Sequence, residues 1–371
     1  MKTVRHSTRA RIAAVAVVAS GTLLLAACGA ANEAAAPATG GSGSTGAAKV
    51  SGTISGAGAS TQQAATQAWV AGFQATSPDA TINYDPSGSG AGRTQFEGGG
   101  VDWAGSDAYI TGDEIAKAKS RCAGDYVEVP VYVSPIAIVY NLPAVPDLQL
   151  TPSTIAKIFS KKITKWNDPA IAADNAGKTL PDQAIAPVNR SDKSGTTQNF
   201  TDYLSQAAPA DWTSKASDTW PLQGGEAAQG TSGVIGAVKA GAGTIGYADE
   251  SQAGTLGKAK IKVGDTFVAP TADGAAKLVA ASTRVTDGGA NSFAYKLART
   301  TTDPTVYPIT LASYFIACSK YTDAAKGKLV KAYLSYIISA DGQAAAAKAA
   351  GSAPLSDTLR TAITPAVNAI S

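Results

Sequence analysis

Three times this 371-residue chain repeats one local pattern: an apolar run, a loop of glycines and hydroxyl residues, then a segment with helical spacing. The first loop is Gly56-Ala57-Gly58-Ala59-Ser60-Thr61 and the second Pro86-Ser87-Gly88-Ser89-Gly90-Ala91-Gly92. The third is Arg190-Ser191-Asp192-Lys193-Ser194-Gly195-Thr196-Thr197. Before the third loop, Ile185 to Val188 reads as a strand. After it, Gln198 to Leu204 reads as an amphipathic helix, with Phe200 and Leu204 four apart. Strand, loop and helix in alternation predict an α/β fold with mostly parallel sheets. Ligands of such sheets bind where strand ends meet helix starts.

A helix start leaves backbone N–H groups without partners, and serine or threonine hydroxyls are suited to cap them. Ser60 or Thr61, Ser89, and Ser194 or Thr196 are the expected caps, with Gly56 and Gly58 making the first turn and Gly195 admitting close approach. With the guanidinium of Arg190 added, the third loop has the composition of an anion site. One such loop alone is ordinarily just a capped turn. The anion reading therefore requires all three to converge on one oxyanion.

Gly105-Ser106-Asp107 follows the predicted strand Val101 to Ala104. An acid there serves as a turn or cap residue, or it has a sharper use. An ionised carboxylate only accepts hydrogen bonds, so beside an oxyanion it repels unless the ligand carries a proton. Monohydrogen or dihydrogen phosphate carries one and sulfate at neutral pH does not. Asp107 among many donors would discriminate between them.

The N-terminus bounds the compartment. Lys2, Arg5, Arg9 and Arg11 precede an apolar stretch, Ile12 to Ala27, too short to span a membrane. Leu25-Ala26-Ala27-Cys28-Gly29 resembles a bacterial lipoprotein signal, with cleavage before Cys28 and lipidation of that cysteine; a secretory signal with a chance cysteine is the other reading. Residues 28–50, rich in Ala, Gly, Ser, Thr and Pro, read as a flexible tether. Without the four signal-peptide cations the mature chain has 27 basic against 28 acidic side chains, so the overall excess of three positive charges is no mark of a nucleic-acid partner. The single histidine, His6, lies in the signal. That removes His-based nucleophilic and zinc sites from the mature chain, and neither G-x-S-x-G, S-x-x-K nor a Walker A sequence is present. In an exported chain Cys122 and Cys318 point to a disulfide, with two buried thiols as the alternative.

Further strands are expected at Thr53 to Gly56, Thr81 to Tyr84, Tyr126 to Val131, Val133 to Tyr140, Thr244 to Tyr247 and Tyr307 to Ala317. Helices are expected at Thr61 to Gln74, burying Ala65, Trp69 and Phe73, and around Arg93 to Glu97, Thr151 to Phe159 and Asp168 to Asp174. Others are expected near Ser232 to Ala240 and across Asp323 to Ala350. About 320 residues exceed one typical domain, and two lobes follow.

In order and spacing these segments resemble the phosphate-binding proteins of bacterial phosphate ABC transporters. The resemblance rests on G-A-G-A-S-T at 56–61, G-S-G-A-G at 88–92, V-D-W-A-G-S-D at 101–107, K-I-T-K-W-N-D-P-A-I at 162–171, R-S-D-K-S-G-T at 190–196 and G-A-G-T-I-G-Y at 241–247. It covers nearly all of the mature chain.

It implies a two-lobed periplasmic-binding-protein fold of type II, each lobe a mixed, mostly parallel sheet flanked by helices, with the ligand in the cleft. Lobe I would combine 51–131 with 304–371 and lobe II would be 132–303, joined by crossing strands near 131–141 and 300–308; Cys122 and Cys318 would share lobe I. By the same resemblance phosphate is held by Ser60, Thr61, Ser89, Asp107, Arg190, Ser194, Gly195 and Thr196, with Asp192 holding Arg190 in place. Ser60 and Thr61 stand where the family has Thr and Phe, a departure that leaves a backbone N–H contact at Thr61 intact. Segment 162–171 reads as a structural helix entry. The implied protein is a lipid-anchored monomer with no cofactor or metal, handing inorganic phosphate to a membrane permease without catalysis. A receptor for another oxyanion, an exported phosphoester hydrolase and a surface adhesin or antigen are the competing readings.

Overall fold

The computed structural model describes residues 50–371; the expected signal peptide, the lipidation site Cys28 and most of the tether lie outside these. β1 (Gly52–Gly58) runs through a 3-10 turn (Ser60–Gln62) into α1 (Gln63–Thr76). Then come β2 (Ala80–Asp85), α2 (Ser89–Glu97), β3 (Trp103–Ser106) and α3 (Asp113–Arg121). α1 buries Ala65, Trp69 and Phe73, the expected four-residue spacing.

β4 (Tyr126–Tyr140) is one unbroken strand of 15 residues, buried at every position, where two runs were expected. Pro130 and Pro135 do not break it, because their fixed φ suits extended chain. After it come α4 (Pro152–Phe159), α5 (Pro169–Asp174), β5 (Ala186–Arg190), α6 (Gly195–Ala207), β6 (Glu226–Ala228), α7 (Gly230–Ala240), β7 (Thr244–Asp249) and α8 (Ala272–Ala280). Segment 162–171 is the helix entry it was read as: Asp168 Oδ1 caps α5 by accepting from the Ala170 N–H at 2.9 Å, and buried Trp166 donates to the Gly243 carbonyl.

β8 (Thr310–Cys318) is followed by α9 (Ala324–Ile338), α10 (Ala340–Ala350) and α11 (Asp357–Asn368). The single helix expected across Asp323 to Ala350 is two, because Ser339 takes an extended conformation (ψ 164°) and turns its hydroxyl to the Gly342 N–H. No strand forms at 300–308. Pro304 and Pro308 lack donors there, and a turn held by Asp303 occupies the segment.

The main sheet runs β2-β1-β3-β8-β4-β7-β5-β6, with a two-residue strand (Gly257–Lys258) also on β4. It is mixed: β2-β1-β3 at one end and β7-β5-β6 at the other are parallel, while β3-β8, β8-β4 and β4-β7 are antiparallel. The outer parallel groups are the strand–loop–helix units seen in the sequence; the middle is made by strands arriving from distant parts of the chain. β4 pairs with β8 through Pro135 and with β7 from Ile136 onward. Cys122 and Cys318 are joined in a disulfide that fastens the end of α3 to the end of β8.

Gly56 lies inside β1, where a β-carbon would collide with the Trp103 ring, so it makes room for packing and not for a turn. Gly58 has φ +145° and sits against the Gly105 carbonyl, and the turn begins there.

Candidate functional site

Asp107, the first residue beyond β3, is 3% exposed, and all three loops reach it. Its N–H donates to Ser89 Oγ at 3.1 Å, and its carbonyl accepts from Asn199 Nδ2 at 2.7 Å. Carboxylate Oδ1 accepts from Thr61 Oγ1 at 2.7 Å and Ser313 Oγ at 2.6 Å; Oδ2 accepts from Thr196 Oγ1 at 3.1 Å. Burial pushes this carboxyl above its usual 3.8, opposed by the Ser313, Thr61 and Thr196 hydroxyls and by the charge of Arg190.

The caps differ in part from expectation. Ser194 does cap α6, its Oγ accepting from the Thr197 N–H at 3.2 Å. Neither the Ser60 turn nor α2 has a side-chain cap. Their hydroxyls are committed elsewhere: Thr61 to Asp107, Ser89 to the Asp107 N–H, and Ser60 to Thr231 Oγ1 at 3.0 Å. Consequently the N–H groups of Ser60, Thr61, Ser89, Gly195 and Thr196 have no acceptor among the described residues. Buried helix starts in this condition are ready to receive an anion.

Arg190, at the end of β5, is gripped by Asp192 through Nε at 2.7 Å and Nη2 at 2.5 Å, leaving Nη1 facing Thr196 Oγ1 at 3.5 Å. Burial raises the Asp192 carboxyl, but the hydrogen bonds and charge of Arg190, aided by the Gly230 N–H, outweigh it and hold it below 3.8. Asp192 thus orients the guanidinium while its own charge is neutralised. Gly195 permits the closest approach: a β-carbon there would lie 2.6 Å from the Asp107 β-carbon.

Of the expected residues, Thr61, Ser89, Asp107, Thr196 and, through Thr196, Arg190 meet directly. Ser194 and Gly195 form the helix start beside them. Ser60 faces the start of α7, whose Thr231 N–H donates to Ser60 Oγ at 3.0 Å. Gly230 and Thr231 went unread, although their glycine–hydroxyl sequence is that of the other loops. Arg93 was also missed. It donates to Ser106 Oγ at 3.0 Å, Glu114 at 2.9 Å and Asp218 at 3.1 Å, bracing the turn that carries Asp107.

Donors from several loops, one oriented guanidinium and one central acceptor-only carboxylate have the chemistry to receive an oxyanion that bears a proton.

Known proteins agree with this architecture. Residues 43–341 match the model of the PBP superfamily domain. Phosphate-binding protein PstS 3 of Mycobacterium tuberculosis is 39% identical over 373 residues, covering 96% of this chain and 98% of that one. PstS 2 of the same organism is 36% identical over 368 residues, covering 97% and 98%. Among solved structures, a high affinity periplasmic phosphate-binding protein (PfluDING) bound with phosphate has a TM-score of 0.70 at 24% identity, over 85% of this chain and 93% of that one. The phosphate binding protein of Stenotrophomonas maltophilia has a TM-score of 0.66 at 22% identity, over 85% and 94%. At these identities the structural likeness is one of fold, the two-lobed type II arrangement of flanked sheets around a cleft. Matched along almost its whole length by sequence and in architecture by structure, the chain belongs to the PBP superfamily and, within it, to the family of the PstS phosphate-binding proteins.

Proposed function

We propose that this protein binds inorganic phosphate with high affinity outside the cytoplasmic membrane and delivers it to an ABC-type permease. The observation that carries the reading is the single buried carboxylate, Asp107, set among unpaired N–H groups, hydroxyls and Arg190. Phosphate can donate its proton to that carboxylate while its other oxygens receive the N–H groups of Ser60, Thr61, Ser89, Gly195 and Thr196, the hydroxyl of Ser194 and the guanidinium. Sulfate offers no proton, and Asp107 then repels it.

In this reading lobe I is 51–131 with 304–371 and lobe II is 132–303. The change of β4 partner at Pro135 and Ile136 supports a border in that region. Closure of the lobes buries the anion, where exclusion of water strengthens each hydrogen bond. The protein works as a monomer and without catalysis, tied to the membrane by lipid on Cys28, so that the loaded form meets the permease in the plane of the bilayer.

Calorimetric titration of ligand-stripped protein with phosphate, and separately with sulfate, tests this. Phosphate is expected to bind 1:1 without competition from excess sulfate. Asp107→Asn should weaken phosphate about 10–100-fold, the worth of one hydrogen bond to a charged group, and admit sulfate, because an amide can donate. Failure of both anions to bind the stripped protein would end the transport reading.

A further inference from the structure

Ser313 sits in the apolar strand β8, and among the described residues its hydroxyl bonds to Asp107 and to Gln62. The register of β8 against β4 shifts between Ser313 and Tyr314. The extra residue is Val131 of β4, and beside this irregularity the Ser313 hydroxyl lies 2.6 Å from Asp107 Oδ1. The direction of that bond is determined by a chain of obligatory partners. The Tyr314 carbonyl can only accept, so the Gln62 amide nitrogen, 3.2 Å away, is its donor. The same nitrogen lies 2.6 Å from Ser313 Oγ, which must accept from it. The serine proton is left to Asp107.

We propose that Ser313, held in β8 opposite the β4 bulge at Val131 and oriented by Gln62, is a positioning residue that keeps Asp107 an ionised acceptor and so sets the discrimination between oxyanions. The proposal rests on the phosphate reading above. Its logic is electrostatic. The carboxylate is wholly buried, and burial favours its neutral form. Facing it are Thr61 from the first loop, Thr196 and the Arg190 charge from the third, Ser313 from β8, and the phenol of Tyr84 from β2. Gln62 fixes the Ser313 proton on Asp107 as Arg190 does that of Thr196, whereas the Tyr84 phenol donates to the Ala59 carbonyl. Without the Ser313 hydroxyl, Asp107 takes up a proton more readily. A protonated Asp107 donates, and it then suits an oxyanion with no proton of its own.

The test is phosphate titration of purified Ser313→Ala across pH 5 to 8, with sulfate as competitor, beside wild type and Ser313→Thr, with thermal melting as the folding control. In Ser313→Ala the loss of phosphate affinity on acidification should begin about one pH unit higher, equivalent to about tenfold at a given pH, and sulfate should begin to compete. Ser313→Thr, which retains the hydroxyl, should restore the wild-type profile. Gln62→Met, which keeps the serine but frees its proton, should shift the profile in the same sense by less, and it serves if Ser313→Ala does not fold. An unchanged profile with sulfate still excluded in both variants overturns the proposal. So does a uniform loss at every pH with discrimination intact, the mark of a merely structural residue. Wild-type protein that binds no phosphate would instead remove the phosphate reading on which this rests.

Discussion

Gly195 shows how little space the proposed anion site leaves. Gly195→Ala places a methyl 2.6 Å from the Asp107 β-carbon and 2.7 Å from Ser89 Oγ, at the first position of α6, where alanine is otherwise welcome. Phosphate affinity should fall about 10–100-fold, and the ligand-free protein should lose about 1–3 kcal/mol of stability from the same overpacking; titration and scanning calorimetry together check this. Arg190→Lys should weaken phosphate by about tenfold or more, since an ammonium cannot hold Asp192 with two bonds and face the anion with a third. Both residues announce themselves in the sequence, as does Asp107, because glycine, arginine and aspartate beside a strand end are conspicuous. Ser313 and Gln62 do not. A serine within an apolar run carries no signal until the pairing of its strand is known.

At the scale of elements, repeated strand–loop–helix units are legible because each is local: β1 to α2 and β5 to α6 fall where periodicity puts them. What eludes the sequence depends on competition or on distant partners. Ser339 divides α9 from α10 because its side chain offers the backbone an alternative to continuing the helix. α3 buries only Ala118 of its nine residues, too thin an apolar stripe to read. The antiparallel centre of the sheet comes from β4 and β8, 170 or more residues apart in sequence, and no local pattern encodes that pairing. Ser339→Ala should lower stability by about 1 kcal/mol through loss of the α10 cap, measured by urea denaturation. Replacing Cys122 and Cys318 together with serine should cost about 2–5 kcal/mol, seen as a lower urea midpoint with the phosphate site unaltered.

For the molecule as a whole, two buried carboxyls near β4 join Asp107 in shaping the response to pH. Burial lifts Glu128 from 4.5 to about 7, against hydrogen bonds from the Ile110 N–H and Ser292. Burial likewise lifts Asp249 from 3.8 to about 7, against bonds from Ser251, Ser134 and Tyr132. Between the ordinary and the raised values the folded chain holds more protons than the unfolded one, so these groups make stability fall as pH rises from about 4 to about 7. Ligand-free protein should therefore melt at a higher temperature at pH 5 than at pH 8, and Glu128→Gln should flatten the difference. β4 bears on how that melting proceeds. The strand lends its first ten residues to one half of the sheet and its last five to the other. Neither half owns a complete set of strands, and no loop within β4 offers a seam at which one could come apart first. Heat should find one cooperative unit, with a calorimetric-to-van't Hoff enthalpy ratio of about one, and neither half should be obtainable as an autonomous fragment.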